Sequence, residues 1–61
     1  MKAREWTINT IEDYNKAMEI LENDKWLAYM GEGAEQFRRE MAIIEKQIAE
    51  INRQAKEKGI I

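Results

Sequence analysis

In the second half of the chain, apolar residues return at alternating steps of three and four without a miss: Ala34, Phe37, Met41, Ile44, Ile48, Ile51 and Ala55. Such spacing keeps one stripe on one side of an α-helix, and the alternation is that of a heptad seam. Glu, Gln, Arg, Lys and Ala, all good helix formers, fill the positions between. Glu35 stands four residues before Arg39, the favourable order for an intrahelical pair. At the far end Lys56 and Lys58 suit the negative pole of the helix dipole, and Gly59 suits the left-handed position just past a helix. Ile60 then falls where a Schellman motif would bring it against Ala55. The spacing predicts a helix over about residues 34–58.

The first half opens in the same style. Ile11, Tyr14, Met18 and Leu21 repeat at three, four and three, with Ile8 one turn earlier. Thr10 followed by Asp13 resembles a capping box; Thr7 is an alternative cap, which would set Trp6 and Ile11 as a hydrophobic staple. A helix is therefore expected to start between residues 7 and 11. Past Leu21 the register breaks. Its continuation falls on Lys25, Ala28 and Glu32, whereas the large apolar residues are Trp26, Leu27, Tyr29 and Met30. Asn23-Asp24, both turn formers, coincide with the break.

Gly31-Glu32-Gly33 divides the chain almost in half, and proline is absent. Two architectures follow. In one, helices over about 8–30 and 34–58, about 31 and 37 Å long, pair antiparallel as a single helical domain spanning 1–61. Phe37, Met41, Ile44, Ile48 and Ile51 then pack on Ile11, Tyr14, Met18 and Leu21. In the other, Trp26–Met30 is a strand of an α+β helix–β-hairpin–helix fold, with residues 34–37 returning. Ala34, Glu35 and Gln36 are weak strand formers, which favours the all-α hairpin.

Composition restricts the chemistry. With no cysteine, histidine or serine, the chain lacks thiolate and imidazole metal ligands and the usual nucleophile–base pairs. Thr7 and Thr10 read as helix caps. Glu40, Glu45 and Glu50, five residues apart, spread around a helix as a solvated face. Gly31-Glu32-Gly33 is too short for a phosphate loop. No enzyme activity, cofactor or metal site is expected. Net charge is −2, without the footprint of a nucleic-acid or anionic-membrane binder. The basic residues Arg38, Arg39, Lys46, Arg53, Lys56 and Lys58 alternate with Glu35, Glu40, Glu45, Glu50 and Glu57 along one helix. An anionic ligand held by Arg38 or Arg39 against an aromatic ring is the strongest remaining form of that idea. No apolar run approaches a membrane span, and Met1-Lys2-Ala3-Arg4 leads into Glu5-Trp6, not a signal core, so the expected location is the cytoplasm.

Arg38-Arg39-Glu40-Met41, continued by Ile44, Ile48 and Ile51, resembles the opening of the last helix in small phage head–tail joining proteins of the W type, with Glu40 where relatives carry Asp. Tyr14 to Leu21 is similar to their first helix, and the likeness covers about residues 10–52. The resemblance implies a helix–β-hairpin–helix fold and an assembly role in the virion.

One excess remains. Ile20, Trp26, Leu27 and Ile43 lie off the seams, and a two-helix hairpin has a single internal face. A chain of this length also has a core that rarely supplies more than about 3–5 kcal/mol. Self-association into a dimer or higher oligomer, or docking on a protein partner, is therefore expected through Ile20, Trp26, Leu27, Tyr29, Met30 and Ile43. Arg38 and Arg39 complete the candidate interaction residues.

Overall fold

The structure, a computed structural model, describes residues 4–31 and 33–61. Two helices, α1 (Ile11–Tyr29) and α2 (Ala34–Glu57), pack as an antiparallel hairpin in a body 39 × 16 × 15 Å. Among the described residues there is no strand. Trp26 to Tyr29 are the last turn of α1 and Met30 is its C-cap, so neither the alternative β-hairpin nor the one implied by the phage resemblance forms there. Glu32, at the centre of the expected turn, and Met1-Lys2-Ala3 lie outside the described residues.

Helix α1 begins later than residue 8, because Thr10 is its cap. The extended Thr10 (φ −134°, ψ 165°) accepts the Asp13 N–H on its hydroxyl at 3.1 Å. The Asp13 carboxylate reaches back to accept the Asn9 N–H at 3.2 Å, one residue beyond the N-cap N–H that the usual reciprocal bond uses. Thr7 caps nothing, and Ile8 precedes the helix. The core-facing positions of α1 are Ala17, Leu21, Asp24 and Ala28. The seam therefore survives past Leu21, carried by a carboxylate and a methyl group in place of large apolar residues. Ile11, expected in that seam, is 49 % exposed.

Helix α2 follows its heptad. Ile44, Ile51 and Ala55 are fully buried, with Phe37, Met41 and Ile48 packed partly buried beside them. Its start has no side-chain cap; Gly33 turns the chain there with φ 88°, ψ 138°, which a side chain tolerates badly. Its end is the expected Schellman motif. Ile60 N–H donates to Ala55 O at 2.8 Å and Gly59 N–H to Lys56 O at 3.2 Å, Gly59 takes φ 70°, and Ile60 folds onto the core.

A third element lies on the hairpin. Residues 4–9 run extended alongside α2, in the same direction, before the turn into α1. Gln47 Oε1 accepts the Trp6 indole N–H at 2.8 Å and the Arg4 N–H at 3.2 Å. One heptad on, Gln54 accepts the Ile8 N–H at 2.8 Å and donates to Trp6 O at 2.7 Å. Seven residues of helix rise about 10 Å, which sets Gln47 beside Arg4 and Gln54 beside Trp6 and Ile8 of the strap. Lys58 donates to Ile8 O and Asn9 Oδ1, and Arg4 reaches Asp24 of α1 at 3.4 Å. The buried polar groups Asp24 and Gln47 thus both meet the strap, and Ile8 enters the core at 1 % exposure.

Truncation of Ile8 is expected to be severe. Ile8→Ala should cost about 2–5 kcal/mol, comparable to the whole stability of a domain this small, and a urea titration followed by helix ellipticity should show little or no folded baseline. Gly33→Ala places a β-carbon on a backbone that only glycine adopts at ease. The expected loss is about 1–3 kcal/mol, read as a lower urea midpoint with an unchanged slope.

Candidate interaction surface

Because the hairpin is antiparallel, the C-terminal turn of α1 and the first turns of α2 share one end of the rod. There Trp26, Leu27, Tyr29 and Met30 are 63, 57, 75 and 74 % exposed. The reason is local. Ala28 is the buried residue of this turn, and Trp26, Leu27 and Met30 sit on either side of it at angles that miss the partner helix. Tyr29 touches α2 through Phe37, ring edge to ring face, with centroids 6.0 Å apart at 87°. Glu22, Lys25, Trp26 and Tyr29 line an open groove of about 350 Å³, and Lys25 Nζ lies 3.8 Å from Glu22 Oε2 across its side.

The other candidates are placed differently. Ile20 and Ile43 are half-buried; Ile43 shares a second groove, of about 290 Å³, with Arg4, Trp6, Lys46, Gln47 and Glu50. Ile43 therefore edges the strap's seat and is not part of the apolar end. Arg38 and Arg39 are exposed on the second turn of α2, at the same end as Trp26, with Arg39 3.9 Å from Glu35. Part of the basic series along α2 is engaged within the fold. Arg53 holds Glu50 and Glu57 at 2.6 and 2.7 Å, and Lys58 holds the strap. Sequence reasoning missed the strap's polar contacts; glutamines seven apart on the face of α2 beside its apolar seam were the available sign.

Tyr14 donates its hydroxyl to Asn52 Oδ1 at 2.9 Å, tying the helices at the opposite end from the apolar cluster. Among the described residues no helix is long and apolar enough to cross a membrane, and no three acidic side chains converge as a metal site would require. Comparison with protein-family models, curated proteins and solved structures finds no match for this chain.

The strongest electrostatic perturbation lies beside the strap. Hydrogen bonds from Arg53 and Gln54 lower the Glu50 carboxyl from 4.5 to about 2, and the same contact raises Arg53. A depressed carboxylate stabilises the fold above its ordinary range and loses that contribution as pH falls from 4.5 towards 2. The pair is solvent-exposed, so the effect on stability is small. In a carbon-detected NMR titration the Glu50 carboxyl is expected to titrate near 2, and Arg53→Ala should return it towards 4.5.

Proposed function

We propose that this protein is a non-catalytic interaction protein that docks a protein surface through the apolar end of its hairpin. The supporting observation is the cluster of Trp26, Leu27, Tyr29 and Met30, each more than half exposed on one helical end. Scattered apolar residues on a surface are ordinary, but contiguous large ones on so small a domain are characteristic of docking sites. Aromatic residues and methionine are also the types enriched in protein interfaces. The cluster contributes little to the hairpin's own core, which is completed by Ala28 and the strap. An assembly role, of the kind that the phage resemblance implies, is one setting in which such a unit acts.

The reading is tested by Trp26→Ser combined with Met30→Ser. Exposed substitutions of this kind shift stability by only about 0.5 kcal/mol each, so thermal melting should stay within a few degrees of the wild type. Any complex that the wild-type chain forms should be lost in the double variant and kept in Arg38→Ala/Arg39→Ala. Complexes that survive the loss of Trp26 and Met30 would overturn the assignment.

A further inference from the structure

The groove at the apolar end has an internal symmetry. Its four lining residues, Glu22, Lys25, Trp26 and Tyr29, form one stripe of α1 at i, i+3, i+4 and i+7. In an antiparallel pair of identical helices related by a two-fold axis, facing residues have position numbers with a constant sum. With the axis midway between Lys25 and Trp26, Glu22 faces the partner's Tyr29 and Lys25 faces the partner's Trp26. Both pairings are chemically matched, and each occurs twice. A lysine ammonium over an indole face is a cation–π contact, and a tyrosine hydroxyl donates to a carboxylate in a charge-assisted hydrogen bond. A parallel pairing would instead put Glu22 on Glu22 and Lys25 on Lys25.

We infer that the occupant of this groove is a second copy of the chain, its α1 lying antiparallel across the first with Lys25 of each copy on Trp26 of the other. This rests on the proposed docking role and names the partner. The alignment leaves the fold alone, because these side chains point away from α2 apart from Tyr29, whose ring edge contact with Phe37 orients it. Glu22 already lies 3.8 Å from Lys25 in each copy, so each cation is held at the groove by its own carboxylate and the two lysines at the axis are flanked by the two glutamates. Fully burying an aromatic side chain removes about 150–250 Å² from water. Trp26, Tyr29 and the neighbouring Met30, two-thirds to three-quarters exposed, therefore offer roughly 400 Å² per copy. Two copies then bury roughly 800 Å² in all, below the range of stable specific interfaces and within that of weak, reversible association. The inferred dimer thus exchanges with monomer at concentrations of about 10 μM to 1 mM.

The experiment is sedimentation equilibrium of the wild-type chain across that range, with helix ellipticity as the folding control. A monomer–dimer equilibrium is expected. Trp26→Ala should weaken it by about tenfold or more, Lys25→Glu by about tenfold, and Lys25→Arg little, since the cation is kept. The orientation is read by cysteine cross-linking, which the cysteine-free sequence makes clean. Glu22→Cys and Tyr29→Cys chains, mixed and oxidised, should form the mixed disulfide, and neither should cross-link with itself. A chain that stays monomeric throughout overturns the self-pairing and leaves docking on a different protein through Trp26 standing. A dimer indifferent to Trp26→Ala, or one that cross-links like with like, also overturns it. Loss of the docking role itself would appear separately, as partner complexes insensitive to Trp26→Ser/Met30→Ser.

Discussion

Two packed helices share one interface and leave its edges open, and the rest of this structure depends on how one of those edges is closed. The closure is an extended strap whose backbone is satisfied by side chains. Gln47 and Gln54 take the place that a neighbouring strand would have in a sheet, binding the backbone of Arg4, Trp6 and Ile8. An amide side chain carries both donor and acceptor, so one residue type can serve N–H and C=O groups alike. With the backbone satisfied, Ile8 can bury fully, and a two-helix chain acquires a core enclosed on a third side. Domains need such a second layer to cover an apolar face.

The same strap explains the unusual interior of α1. Asp24 is 7 % exposed on the core-facing stripe, a position that a two-helix account assigns to an apolar residue. Arg4 meets it from the strap, which places opposite charge where the burial would otherwise be costly. Ala28, one turn on, keeps the helices close where α1 ends, and larger neighbours are displaced outward as a result. Polar and small residues in the seam and large apolar residues outside it are thus two sides of one arrangement.

This arrangement also decides what could be read from the chain itself. Helix α2 was legible almost to the residue, because apolar periodicity, charge order and the Gly59 stop all agree, and its Schellman ending depends only on local backbone bonds. The antiparallel hairpin followed from two helices and one short turn. The phase of α1 was legible at Tyr14, Met18 and Leu21, which pack on the core, but not at Asp24, which takes a core position for a reason supplied by Arg4, a residue distant in sequence. Ile8 was misplaced for a related reason: its spacing to Ile11 fits a helix, while the contacts that bury it lie at Gln54 and Lys58. The apolar excess at Trp26, Leu27, Tyr29 and Met30 was visible as excess, since a surplus over what one interface can cover is a matter of counting. Ile43 was counted with it, although in space it belongs to the strap's edge.

The two ends of the rod therefore carry different chemistry. At the end where α1 begins, Lys58, Asn9, Tyr14 and Asn52 close the structure with hydrogen bonds between residues far apart in sequence. At the other end, apart from the Tyr29–Phe37 edge contact, the large side chains serve no internal purpose that their exposure allows. Burial of such groups stabilises at roughly 25 cal/mol per Å², a contribution this small domain forgoes by leaving them outside. The fold's stability is thereby carried by residues other than those of the apolar end, so that end can be substituted without altering the fold that presents it.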